Sequence, residues 1–356
     1  MPNKKARACD EEKVKIGSVG GEALMEGIMM RGPEGAAISL RMADGSIETG
    51  VKKTTLPSEK YKILGWPLIR GPVSLVYSMA FGYRCMMESA ERATAGMMES
   101  GEAEAESKLD KWFEAHFGPK MMAVVTAVGT FLGIALAVGL FMVLPTYAFK
   151  GINYLAHSQL DSWKALIEGG IRIVIFVSYM FAMSQIPDIR RVFQYHGAEH
   201  KSIFCYEYGL PLTVENVRAQ RRFHPRCGTS FLFVMLLLGM VLSAVLLLLF
   251  PHLKDHNLLW IAIKFLQFPV IMAFGYEFIR FAGRHLKNPL VRALSFPGLA
   301  MQRITTKEPD DGIIEVGIEA LKAALGMPYE AKIPAIKEEP VDDQGGDAES
   351  EEAPQE

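Results

Sequence analysis

Gly228-Thr229-Ser230-Phe231-Leu232-Phe233-Val234-Met235-Leu236-Leu237-Leu238-Gly239-Met240-Val241-Leu242 continues through Leu249 to Phe250 without one charged side chain. A helix of ~20 apolar residues crosses the hydrocarbon core of a bilayer, so this stretch reads as a transmembrane span. Three other blocks read the same way, at about 120–144, 169–186 and 258–281, although the last contains Lys264 and Glu277. A soluble fold would have to bury helices this apolar on every side, and four of them in 356 residues argue for a membrane.

Basic residues fix an expected orientation. Seven lie between the second and third spans: Arg190, Arg191, Lys201, Arg218, Arg221, Arg222 and Arg226. Lys150 and Lys164 lie between the first and second, and Lys254 between the third and fourth. Cytoplasmic connections carry the excess of Lys and Arg, which puts both termini and the 187–227 loop in the cytoplasm. The overall charge of −2 hides this bias, because nine acidic residues and no basic ones lie between Glu338 and Glu356, leaving +7 on the rest. That tail, 334–356, has the composition of a disordered segment. Residues 1–15 read as a flexible, charged N-terminus with no signal-peptide core. Four scattered cysteines, Cys9, Cys85, Cys205 and Cys227, suit a reducing compartment. Basic residues are not interleaved with aromatics, so nucleic acid is not expected as a partner; membrane lipids are. No phosphate-cradling glycine loop or nucleophile elbow is present.

The polar segments suggest a small cytoplasmic α/β domain over 16–60. Alternating residues on either side of Asp44-Gly45 predict a β-hairpin across 36–53. The glycine-rich stretch 20–33 reads as a connection, whose Glu22, Glu26 and Arg31 are either site residues or solvated charges. Over 61–119, Gly71-Pro72 opens an amphipathic helix marked by Val76, Met79, Ala80, Tyr83, Met87 and Ala90, an interfacial helix that lies on the membrane or packs against the bundle; a polar connector follows. The second span is expected to run on as a helix through Asp188, Arg190 and Arg191 towards His196. Over 287–333, Pro297-Gly298 should break the chain, and Ile313 to Leu325 has the period of a helix that would pack on the N-terminal domain. The expected fold is mainly α: four transmembrane helices, an interfacial amphipathic helix and a small α/β cytoplasmic domain containing a hairpin.

Chemistry concentrates in Tyr195-His196-Gly197-Ala198-Glu199-His200-Lys201. His196 and His200 are four apart, on one face of a helix, with Glu199 beside them. This H-x-x-E-H order offers two imidazoles for a metal and a carboxylate for proton transfer. His224-Pro225-Arg226-Cys227-Gly228-Thr229 adds a nitrogen and a thiolate at the mouth of the third span. Glu277 lies about one turn inside the fourth span, where a carboxylate needs a partner. Such donors suit a divalent metal, zinc above all. A closed structural site would use His196, His200, His224 and Cys227. An open catalytic site would use three ligands, with Glu277 or His224 as the third and Glu199 as general base. Cys205 and Glu207 are further candidates. The plainer alternative is a pair of interfacial histidines making ordinary hydrogen bonds.

Gly-Gly-Glu-Ala-Leu-Met-Glu-Gly at 20–27, together with the motifs at 195–201 and 224–229, resembles the YqhQ-like family of bacterial membrane proteins over about residues 16–326. The resemblance implies an integral protein of the bacterial inner membrane with a metal-dependent site, and supplies no substrate. Three functions follow as expectations. One is a metal-dependent hydrolase at the cytoplasmic membrane face, acting on a lipid or membrane peptide. The second is a non-enzymatic scaffold or assembly factor with a structural metal. The third is a transporter, which the lack of an internal repeat disfavours.

Overall fold

The computed structural model describes residues 19–54, 57, 61–100, 119–285 and 288–329. The expected flexible N-terminus and acidic tail, and part of the polar connector, lie outside these. Four strands, β1 (Gly20–Leu24), β2 (Gly27–Gly32), β3 (Gly35–Arg41) and β4 (Ile47–Lys52), form one antiparallel sheet in sequence order. The β3–β4 hairpin closes on Arg41 opposite Ile47, with Gly45 at φ +83° in the turn. Residues 20–33 are not a connection but half of the sheet, with Glu22 opposite Met29 and Gly27 opposite Leu40. Their signal is masked because both faces of β2 are covered. Ile28 and Met30 enter one core while Met29 enters another, so no polar alternation marks the strand.

Helix α1 (Arg70–Ser100) covers one face of the sheet with Phe81, Cys85 and Met86. The stripe read from the sequence, Val76, Met79, Tyr83 and Met87, faces outward and is exposed. Among the described residues, four stretches are long and apolar enough to cross a membrane: Ala127–Leu155, Asp161–Met183, Gly228–Leu249 and Asn257–Gly283. The first, whose helix begins at Pro119, runs on past the expected end at Leu144 to Leu155. It joins α2 (Pro119–Val138) to α3 (Leu144–Leu155) through a π turn at Gly139–Val143. The others are α4 (Lys164–Met183), α7 (Gly228–Leu249) and α8 (Asn257–Arg284).

The charges buried inside these helices are partnered. Lys264 pairs with Glu168 and donates to Thr146 Oγ1 at 2.9 Å; Trp260 Nε1 donates to Glu168 Oε2 at 2.9 Å. Arg172 Nε donates to the Phe141 carbonyl, in the π turn, at 2.7 Å.

Two expectations of continuity are reversed. The second apolar helix does not run on to His196. It stops at Met183, Ile186 is extended at ψ 127°, and α5 (Pro187–Glu207) starts afresh with Pro187 in its first turn. A residue before proline is pushed out of the α region, and proline lacks the donor an unbroken helix would need. Pro297-Gly298, expected to break the chain, lies inside α9 (Pro289–Thr305). A Cβ on Gly298 would come within 3.0 Å of Ser230, so close packing on α7 holds the helix through its missing hydrogen bond.

After the short α6 (Val214–Arg218) and these helices, α10 (Asp311–Ala324) is capped by the Asp310 side chain, which accepts from Ile313 N. It packs on β2 and β3 as expected. Ile28 and Met30 of the sheet, Tyr195, Ala198 and Ile203 of α5, and Val316 and Leu321 of α10 share one core. The segments before the first apolar helix, between the second and third, and after the fourth therefore form a single body on one side of the bundle.

Candidate metal centre

His196, Glu199 and His200 lie on α5, on the side that meets the 222–227 loop and the end of α9. Cys227 is the residue that caps the N-terminus of α7. His196, His200 and Cys227 bring one ligand atom each to within 4.8 Å of one another. His196 Nε2 lies 3.2 Å from Cys227 Sγ, and the His200 ring also hydrogen-bonds that sulfur. Thr229 Oγ1 is also 3.2 Å from it.

The remaining nitrogen of each imidazole is occupied. His196 Nδ1 lies 2.8 Å from the Thr305 carbonyl, and His200 Nδ1 meets the Arg222 carbonyl. A carbonyl only accepts, so both Nδ1 atoms carry a proton, which leaves each Nε2 as the nitrogen free to bind a metal once it is deprotonated. Metal-bound histidines are oriented in this way. Two imidazole nitrogens and a thiolate are a zinc-type donor set, and three protein ligands are the number found in open sites. The residues therefore fit a zinc ion.

The electrostatics point the same way. Burial alone would raise the Cys227 thiol, but His196 and His200 override it and hold the group well below its ordinary range. Burial alone would lower His196; the facing Cys227, with Glu199 and the Thr305 carbonyl, pushes it up to about 9. The pair is a thiolate against an imidazolium until something displaces the proton. Burial raises Glu199 against the pull of His200 and His196. Its Oε2 is 4.0 Å from His196 Nε2, and its carboxylate accepts from the Gly21 N–H of β1. Half-buried Glu22 is raised first by burial and then by the charge of Glu199.

Two glycines make these approaches possible. A Cβ on Gly21 would sit 2.9 Å from Glu199 Cγ, and one on Gly197 would lie 2.1 Å from the Lys307 carbonyl. The second contact, with the Lys307 N–H to Phe193 O bond of 2.8 Å, keeps the 305–307 backbone against α5. That is what brings the Thr305 carbonyl to His196.

Other expected residues are placed elsewhere. His224 is buried beside the cluster, 5.5 Å from His200 between ring centroids, but its ring faces Glu207 at 3.8 Å and Arg226 at 3.4 Å. Glu277 is not in the cluster of His196, His200 and Cys227. Arg70 binds it with two hydrogen bonds of 2.7 and 2.6 Å, which meets the need of a carboxylate in an apolar helix without a metal. Cys205 donates to the Pro211 carbonyl within a small apolar core, and Glu207 pairs with Arg226. Glu26 holds Arg191 through both carboxylate oxygens and accepts from Tyr195 Oη at 3.1 Å, fastening α5 to the sheet. Arg31 donates to Ser78 Oγ at 3.4 Å.

Sequence reasoning missed Gln302. Fully buried, it accepts from His224 N and donates to His224 O, both at 2.7 Å, and reaches Ser230 Oγ at 2.8 Å. It thus fixes the loop that delivers Cys227. No motif surrounds it, and a side chain that reads backbone leaves no pattern in sequence.

The protein described as "Uncharacterized protein YqhQ" from Bacillus subtilis (strain 168) is 31% identical over 311 residues, covering 86% of this chain and 92% of its own length. No solved structure matches. The family described as "Protein of unknown function (DUF1385)" matches residues 66–327. With that span taking in His196, His200, Cys227 and all four apolar helices, the chain belongs to the DUF1385 family.

Proposed function

We propose that this is a zinc-dependent membrane enzyme, a hydrolase whose site lies at the cytoplasmic face of the bacterial inner membrane. The observation that carries the reading is the three-ligand set, His196, His200 and Cys227, with both Nδ1 atoms on carbonyls and Glu199 alongside. Zinc bound there supplies Lewis acidity to a substrate carbonyl or phosphoryl oxygen. Glu199 takes the proton from the attacking water and returns it to the leaving group. Burial, and after it the charge of Cys227, raise its basicity for that task. The Gly21 N–H keeps its carboxylate turned towards the histidines. The four apolar helices and the bias of Lys and Arg support membrane insertion with both termini cytoplasmic, and the location favours a lipid or membrane-peptide substrate.

Glu199→Gln separates the roles. It should keep the metal and lose about 10²–10⁴-fold in turnover of a lipid or peptide ester by the reconstituted protein. Full turnover in this variant would remove Glu199 from the chemistry. A second reading, a scaffold with a structural metal, draws on one observation. The ligands come from α5 and from the start of α7, and their hydrogen bonds reach the 222 and 305 backbones, so a metal would staple four segments. Chelation would then loosen the fold and no substrate would turn over.

A further inference from the structure

Away from the candidate metal centre, α1 and the residues just before it face α8 across an open hollow of about 390 Å³. Leu68, Ile69, Val73, Pro269, Val270 and Phe274 are among its lining residues, and all of its lining is apolar. It opens outward, since Leu68, Val270 and Phe274 are 45%, 42% and 52% exposed. Pro269 lies within α8, where it removes one backbone hydrogen bond.

The cavity has a polar rim on one side. One turn along α8 from Ala273, Glu277 accepts both hydrogen bonds from Arg70 and a third from the Leu68 N–H. Leu68 is held at φ 70°, a strained conformation for a leucine, and that fold of the chain turns 68–69 onto the cavity. Arg280, exposed one turn further on, is close enough to act on Glu277 electrostatically. The rim thus holds two guanidinium groups and one carboxylate, an excess of one positive charge.

We propose that this cleft is a binding site for an anionic phospholipid, with an acyl chain between α1 and α8 and the phosphate against Arg280 and Arg70. The inference goes beyond the hydrolase reading and rests only on the membrane placement proposed with it. A tail gains little by leaving other tails for an apolar wall, so headgroup charge decides which lipid stays. The cationic rim selects a phosphodiester with net negative charge over a zwitterionic one. The cleft keeps the tail by shape.

The test is native mass spectrometry of the full-length protein in detergent, offered phosphatidylglycerol or phosphatidylcholine. Wild type should retain phosphatidylglycerol in preference. Val270→Trp fills the cleft from an exposed position and should abolish retention, whereas Phe268→Trp, an exposed residue outside the lining, should not change it. Arg280→Gln should keep the tail seat and lose about fivefold of the headgroup preference. Equal retention of both lipids by wild type, or identical behaviour of the two tryptophan variants, overturns the proposal. Release of the protein from membranes by alkaline carbonate would instead sink the membrane placement, so the two failures are distinguishable.

Discussion

His196 is the residue on which the proposed chemistry turns. In the metal-free protein its imidazolium faces the Cys227 thiolate and stays protonated up to about pH 9. A metal needs the neutral imidazole, so binding must expel that proton. Acid favours the protonated form and opposes binding; affinity for zinc should rise about tenfold per pH unit below about pH 9 and level off above it. Competition titrations from about pH 6 to about pH 8 check this, and a flat profile would contradict it. Glu26 offers a second test at the same scale. It sits at φ 51° to reach Arg191 and Tyr195. Glu26→Ala loses the clamp and keeps the strain, while Glu26→Gly loses the clamp and relieves it. Thermal unfolding in detergent should find the alanine variant less stable than the glycine variant by about 1 kcal/mol.

Among the elements, α5 and the start of α7 carry the candidate ligands, the sheet and α10 pack against α5, and the apolar helices are tied by their own polar contacts. Glu168 and Lys264 are both almost fully buried, and Glu168 Oε1 has no partner. Lys264→Met would strand the carboxylate and should cost about 3–5 kcal/mol, while adding Glu168→Gln should recover part of that loss. A double variant no better than the single would mean that the pair contributes nothing as a pair. What was legible in sequence follows from this division. Helices bounded by lipid-like composition announce themselves, as Gly228 to Phe250 does. Asp44-Gly45 marks its hairpin, and Ile313 to Leu325 shows its packed face. β2 was hidden because Ile28, Met29 and Met30 are buried on both sides. The stop at Met183 was written in Ile186-Pro187 but outweighed by the apolar run before it. His196, His200 and Cys227 stood out as residue types. The Thr305 and Arg222 carbonyls that orient the rings could not, because a backbone acceptor has no sequence.

For the whole molecule, three segments separated by pairs of apolar helices fold into one body, an arrangement that fits the proposed four crossings, which would leave all three on one side. An alkaline phosphatase fused after residue 158 should be active, and one fused after residue 209 or at residue 356 should be silent. Activity at 209 would put the histidines outside the cell and end the proposed orientation. The account depends most on the cation itself. Elemental analysis of detergent-purified protein should find about one zinc per chain in wild type and in Glu277→Gln, and almost none in His196→Ala, His200→Ala or Cys227→Ala. The same metal content in all five, or none in wild type, would contradict it.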